Sequence, residues 1–129
     1  MKTLQMQSCV HENATVECAL VEITVPEPEA DQVVVAIDAA PINPSDLGLM
    51  FGAADLSSAR VAERDGQPAL ILDVPPAAMR AMAPRLGHWM PVGNEGSGRV
   101  IGAGASAEAQ ALVGKRVGMF GGEMYAGYR

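Results

Sequence analysis

Glycine and proline interrupt this sequence so often that no long regular element fits between them. The 129 residues include fourteen glycines and nine prolines, and both residue types end helices and bend strands. This punctuation favours a turn-rich β architecture over a helical bundle. Aromatic residues make up only 4 % of the chain, so its core has to be filled by Val, Ile, Leu, Ala and Met.

The charge and hydropathy of the chain exclude two classes of partner. The formal net charge is −6, and the basic residues are scattered rather than clustered, so we expect no nucleic-acid partner. No apolar run approaches the ~20 residues of a membrane-spanning helix, and polar residues follow Lys2 where a signal peptide would be apolar. We therefore expect a cytoplasmic protein in which Cys9 and Cys18 are free thiols. A disulfide would require the first two strands to form a hairpin.

Short apolar runs bounded by turn residues predict six or seven strands in one domain. The candidate strands are residues 2–9, 17–25, 32–40, 69–72, 99–103, 116–120 and 125–128. One or two short helices are also predicted. Residues 75–86 begin with proline and precede a glycine, as short helices often do, and Ser45 and Asp46 are suited to the first turn of another.

Two polar turns, each placed beside an apolar strand-like run, carry most of the functional information. They are residues 40–46 (APINPSD) and residues 93–98 (GNEGSG). Pro44 favours an extended Asn43 at the end of a strand, and the Asn amide can both donate and accept hydrogen bonds. Each motif alone also has a structural interpretation, as an Asn-Pro turn with an Asp46 cap or as a glycine-rich hairpin.

In this order, the two motifs resemble the N-terminal catalytic domain of the zinc-independent medium-chain dehydrogenases/reductases. The resemblance covers residues 2–50 loosely and residues 90–129 well. The chain is similar to quinone reductases and, around residues 39–46, to mitochondrial-type trans-2-enoyl thioester reductases. The resemblance implies a mainly β fold, a GroES-like, partly open β-barrel with an insertion at about residues 53–89. It also implies NADPH- or NADH-dependent hydride transfer to a quinone or an activated C=C or C=O group.

The resemblance also assigns roles to residues of the two motifs. It implies that Asn43 contacts the cofactor or a substrate amide, and that Ser45 supplies a hydroxyl contact or a proton relay, so these two are the candidate catalytic residues. The candidate cofactor-binding residues are Asn43, which is also a catalytic candidate, and Asp46, Asn94, Glu95 and Tyr125.

Three positions depart from patterns found in relatives of this kind. Zinc-dependent members of the superfamily carry Cys and His where this chain has Asn43 and Asn94, and neutral amides are poor zinc ligands, so no metal is predicted. Enoyl thioester reductases place a catalytic Tyr where this chain has Ala54, so the acid for enoyl reduction is absent.

The segment 53–89 is longer than the usual link between the two motifs. It is interpreted as a lid over the substrate pocket with Trp89 and Met90 as apolar lining, as an oligomer contact such as a homodimer interface, or as a surface elaboration without chemistry. A second glycine-rich segment, residues 102–107 (GAGASA), fits a nucleotide fingerprint only superficially. A genuine fingerprint needs a longer helix and a following strand that ends in an acid, so this segment is predicted to be a hairpin turn.

We therefore predict that residues 1–129 form the substrate-side domain of an NAD(P)H-dependent reductase. Its partners would be a small-molecule substrate and a Rossmann-type domain of the same polypeptide, which lies outside these residues. The chain alone is expected to be inactive and to bind NADP or NAD weakly. The alternative is a self-standing GroES-like binding or assembly module without catalysis.

Overall fold

A computed structural model describes residues 1–129 and shows eight β-strands. The strands, in chain order, are β1 (Lys2–His11), β2 (Thr15–Thr24), β3 (Val33–Ala39), β4 (Arg60–Arg64), β5 (Gln67–Asp73), β6 (Met90–Pro91), β7 (Glu95–Ala103) and β8 (Arg116–Phe120). The strands account for 45 % of the chain and helices for 19 %. The architecture is therefore mainly β, as predicted.

Three short α-helices connect the strands, one more than the upper number predicted. They are α1 (Pro44–Phe51), α2 (Pro76–Met82) and α3 (Ala107–Gln110), and two single-turn 3₁₀ segments add Leu56–Ser58 and Ala83–Arg85. Helices α1 and α2 both carry proline in the first turn, where the missing N–H leaves no hydrogen bond unmade. No helix is both long enough and apolar enough to cross a membrane.

The strands form two sheets that do not close into a barrel. One has five strands in the order β4-β5-β2-β1-β6, and the other has three in the order β3-β7-β8. This arrangement confirms the prediction of a partly open GroES-like β fold. Strands β7 and β8 pair antiparallel, so residues 102–107 between them do not belong to a βαβ nucleotide-binding unit. The connection contains α3 rather than the simple hairpin turn that was predicted.

The chain divides into two compact units. Unit 1 contains residues 1–5, 22–41 and 93–129, and unit 2 contains residues 6–21 and 42–92. Unit 1 is built on the three-stranded sheet. Its buried apolar side chains include Val34, Val35, Val100, Ala109 and Met124, so the valine-rich run of β3 supplies much of its core.

Unit 2 has its own hydrophobic cluster. The buried members are Val10, Val16, Cys18, Val74 and Met82. Side chains from the C-terminal end of α1 and from α2 pack against this cluster. Both helices therefore cover the sheet with their apolar faces, which holds them in place despite their short length.

The segment 53–89 folds into β4, β5 and α2 within unit 2. A strand at residues 69–72 and a helix at residues 75–86 were predicted, and both are present. Strand β4 was not predicted, because its RVAER sequence is mostly charged. Asp65 and Gly66 join β4 to β5 with positive φ angles of 50° and 77°, the backbone that an Asp-Gly hairpin turn adopts.

The predicted strand at residues 125–128 is not a regular strand. It makes only isolated bridges, Gln5 to Ala126 and Ala36 to Tyr128. Glu123, just before it, has a positive φ of 63°, and Gly121 and Gly122 also have positive φ. After this turn the segment divides its backbone hydrogen bonds between two strands, since Gly127 N–H donates to Leu4 of β1 and Arg129 N–H donates to Val35 of β3. No continuous ladder with either strand forms.

Candidate functional site

The second motif lies in unit 1, at the start of β7, and its first glycine lies against Tyr125. Gly93 has a φ of +100°, and a methyl carbon built there would lie 2.6 Å from both the backbone nitrogen and the ring of Tyr125. The Gly93 carbonyl accepts a hydrogen bond from Met124 N–H at 3.0 Å. Glycine is therefore required here by conformation and by packing.

The other two glycines of the motif permit close approach within the chain. A methyl carbon at Gly96 would lie 3.2 Å from Met124 Cβ. At Gly98 it would overlap the carbonyl oxygen of Ala36 and lie 2.9 Å from Ile37 Cα on the neighbouring strand. The approaching group is the Met124 side chain at Gly96 and the backbone of β3 at Gly98.

Tyr125 connects the two motifs within unit 1. Its hydroxyl donates a hydrogen bond to the Pro41 carbonyl at 2.9 Å, and its ring lies against Gly93. Pro41 belongs to the segment that begins the first motif. Tyr125 therefore fixes the backbone of both predicted motifs, and its phenol is half-buried.

A shallow cavity of about 570 Å³ opens beside these residues. Three segments of unit 1 line it: Ala39, Ala40 and Pro41; Glu95, Gly96 and Ser97; Gly118, Met119 and Phe120. The first two segments come from, or directly adjoin, the two motifs predicted from the sequence. Of the candidate site residues, Glu95 lines this cavity, while Asn94 precedes it in the chain and its carbonyl accepts the Gly121 N–H at 3.0 Å.

The first motif continues into unit 2 at the N-terminal end of α1. The Asn43 N–H donates to Asp46 Oδ2 at 2.8 Å, and Asp46 N–H donates to the Asn43 carbonyl at 3.0 Å. This is the geometry of a helix cap. Asp46 is fully buried, so its carboxylate fixes the turn, whereas Asn43 is half-buried and Ser45 is exposed.

The opposite end of α1 is held by side chains that the sequence analysis did not identify. The Arg85 guanidinium donates to the carbonyls of Gly48 and Leu49 and to Ser8 Oγ. Ser8 Oγ donates in turn to the Met50 carbonyl at 2.8 Å. These donors satisfy carbonyls that a helix leaves without partners at its C-terminus.

Cys18 adds a further donor to the same helix end. Its Sγ lies 3.1 Å from the Met50 carbonyl. Arg85 has one unmatched group, since its Nε is buried without a hydrogen-bond partner. The contacts join residues 32 to 77 positions apart in the chain, so no local sequence signal could have revealed them.

A second polar cluster in unit 2 is centred on the buried carboxylate of Glu17. Arg64 binds both carboxylate oxygens, at 2.6 and 2.8 Å, and His11 Nε2 lies 2.7 Å from Oε2. The hydrogen bond from Arg64 is the largest influence that lowers the pKa of Glu17, and the contact with His11 acts in the same direction, while burial opposes both. The Arg64 guanidinium also lies 4.7 Å from the centre of the Trp89 ring.

The two thiols are structural rather than nucleophilic. Cys9 and Cys18 are both buried and free. Burial raises the pKa of each thiol, so both are protonated at neutral pH and lack the thiolate that attacks substrates. Cys9 Sγ lies 3.9 Å from His11 Nδ1, but a protonated, enclosed sulfur makes this pair an unsuitable catalytic dyad. No group of three or more His, Cys, Asp or Glu side chains is arranged to hold a metal ion.

The fold has a counterpart among solved structures. A crystal structure of a protein from Mesorhizobium loti, provisionally named an NADPH:quinone reductase, aligns with 98 % of this chain at a TM-score of 0.56 and 20 % identity. The chain spans only 33 % of the length of that protein. At this identity the likeness shows the fold alone. No protein-family model and no curated protein matches the chain.

Proposed function

We propose that this chain is the substrate-side domain of a zinc-independent, NAD(P)H-dependent reductase. The observation that carries the proposal is the convergence of the two motif regions on one cavity of unit 1, which Pro41 and Glu95 both line. Tyr125 fixes both segments from beneath. The shared fold with the protein named as an NADPH:quinone reductase supports the same reaction class.

The cavity lining fits the nicotinamide end of such a cofactor and not its phosphates. Its only charged side chain is Glu95, and it contains no Lys or Arg. A carboxylate can accept the N–H groups of a carboxamide, but it repels phosphate. The phosphates would therefore be held by a Rossmann-type domain of the same polypeptide, which provides helix N-termini for that purpose.

When bound, the nicotinamide supplies a hydride to the substrate. The residues of this chain would orient both rings and exclude water. A quinone that accepts the two electrons and one proton of a hydride needs a second proton to become a hydroquinone. Asn43 and Ser45 belong to unit 2 and do not line this cavity. Their roles, contact with an amide and relay of a proton, are therefore proposed on the resemblance alone, with Asp46 holding Asn43 through the cap described above.

The test is NAD(P)H oxidation by the product of the complete gene, with a soluble quinone as acceptor. Ser45→Ala should lower kcat by about a hundredfold, because the proton relay is lost. The fold should stay intact, since Ser45 is exposed. Glu95→Ala should raise the KM for the cofactor by about tenfold, since a charge-assisted hydrogen bond is lost. Glu29→Gln, an exposed carboxylate outside the cavity, is the matched control and should change neither constant.

The self-standing binding module is the alternative outcome of this experiment. A gene product that oxidises neither NADPH nor NADH with any quinone or enone would contradict the proposal and favour that module. Gel filtration of the same protein would then show whether the chain assembles with copies of itself, including the homodimer that the sequence analysis considered.

A further inference from the structure

The outward face of the three-stranded sheet places an aromatic ring beside an open floor. In the β7–β8 ladder, Glu95 lies opposite Phe120 and Ser97 lies opposite Gly118. On the other side, Ala39 of β3 lies opposite Ser97. Directly opposed residues share one face of a sheet, so the small residues Ala39, Ser97 and Gly118 form the floor, with Phe120 at its edge.

Phe120 is the most exposed aromatic side chain on this face. It is 84 % exposed and is the last residue of β8, the edge strand of this sheet. A methyl group added at Gly118 would have no atom within 4 Å, so the space next to the ring is open. An exposed aromatic ring beside a floor of small residues can accommodate a second flat ring, which would stack on Phe120.

The charge of the lining limits which rings can bind. Glu95 is the only acidic or basic residue in the cavity lining. Arg116 lies two residues before Gly118, but its guanidinium is paired with Asp38 and does not line the cavity. Arg99 lies two residues after Ser97 on the same face, but it donates to the Gly114 carbonyl and does not line the cavity either. An anionic ligand would therefore meet a carboxylate and no cation in the lining. The site favours neutral rings over anionic ligands, such as acyl carriers with phosphate groups or rings with sulfonate groups.

We propose that the ring of a neutral quinone stacks on Phe120, next to Ser97 and Gly118, that Phe120 sets the preference of the site for flat aromatic acceptors, and that Glu95 disfavours anionic ones. This inference rests on the proposed reductase function for its choice of quinone. It goes further because it selects the quinone among the acceptors left open above, and because it assigns a binding role to a residue that neither motif contains.

The test is a calorimetric titration of the complete gene product with menadione, a neutral naphthoquinone, in the absence of NADPH. Phe120→Ala should weaken binding by about ten- to thirtyfold, and Phe120→Tyr should retain most of the affinity. Gly118→Val should abolish binding by filling the floor, while valine suits a strand position. Ile101→Ala is the matched control, because Ile101 is another exposed apolar residue of β7 outside this cavity.

The preference for uncharged rings is tested by a second titration. A naphthoquinone sulfonate should bind the wild-type protein at least tenfold more weakly than menadione, and Glu95→Gln should narrow that difference. Equal affinities of the wild-type protein for the two compounds would contradict the assigned preference. Thermal unfolding of the Phe120 and Gly118 variants should match the wild type, since neither position supports the core.

The outcomes for the ring site and for the proposed function are separable. Menadione binding that is lost in Phe120→Ala, in a protein that oxidises no NAD(P)H, would support the ring site and refute the reductase. Quinone turnover with an unchanged quinone KM in Phe120→Ala and Gly118→Val would support the reductase and refute the ring site. A Phe120→Ala protein that binds menadione normally but changes its elution volume would also refute the ring site, since it would make Phe120 part of an assembly contact.

Discussion

Gly98 is the position where a single methyl group should do the most damage in unit 1. A methyl carbon there would overlap the Ala36 carbonyl oxygen and lie 2.7 Å from the Ala36 carbonyl carbon. Both atoms belong to the backbone of β3, so no side-chain rotation can relieve the overlap. Strands β3 and β7 would have to separate locally, and Gly98 is paired with Ile37 in that ladder.

The cost can be estimated from what the separation disrupts. Loss of two ladder hydrogen bonds costs about 1 kcal/mol each, and loosening of Val35 and Val100, each 1 % exposed, adds about 1–3 kcal/mol. The total of about 3–5 kcal/mol is a large fraction of the 5–15 kcal/mol typical of a domain. The expected fall in Tm is roughly 10–20 °C.

The assay is urea unfolding followed by circular dichroism, with Gly102→Ala as the control in the same strand. A methyl carbon at Gly102 would lie no closer than 3.8 Å to Val34, which is ordinary contact, so the control should stay within about 0.5 kcal/mol of the wild type. If Gly98→Ala also stayed within about 1 kcal/mol, or if both variants lost the same stability, the close-approach argument would be refuted.

Three further predictions concern unit 2. The hydrogen bonds from the Arg64 guanidinium lower the pKa of Glu17 from its ordinary value of 4.5, so the ionised carboxylate stabilises the fold above that pH and this stabilisation is lost as the pH falls through the folded-state pKa. In acid-denaturation curves the wild type should therefore lose more stability than Glu17→Gln between about pH 5 and pH 3. Parallel curves for the two proteins would contradict this. Arg85→Met removes the charged donor from the end of α1 and should lower the free energy of unfolding by about 2–3 kcal/mol in chemical denaturation. Arg80 is an exposed arginine of α2, so Arg80→Met should lower it by less than about 0.5 kcal/mol; equal losses would argue against a capping role for Arg85. Cys9 and Cys18 should resist iodoacetamide at neutral pH in the folded protein and react in urea, since burial raises the pKa of both thiols, and rapid native labelling followed by mass spectrometry would show otherwise.

Local sequence was sufficient for the strands with apolar runs. The valine-rich run at residues 32–40 predicted β3 within one residue at each end, and residues 116–120 predicted β8 without error. Strand β4 was missed because three of its five residues are charged, as suits an exposed edge strand. The Asp65–Gly66 dipeptide was the available signal for that hairpin, and it was not used.

The candidate site was predictable only in part. The two motifs were recognised from their turn residues, and the structure brings Pro41 and Glu95 to one cavity. Phe120 was not identified, because an aromatic residue at a strand end gives no local sign of its exposure. The Arg85 contacts with α1 were also missed, since they connect residues far apart in the chain and depend on tertiary packing.

The most direct test of the proposed function is a single assay on the protein purified from its complete gene, in which NADPH oxidation is followed with menadione as acceptor. We predict a product larger than 13.4 kDa by a domain of about 150–200 residues, with quinone-dependent NADPH consumption. A product of 13.4 kDa that folds and consumes no NADPH or NADH would contradict the account.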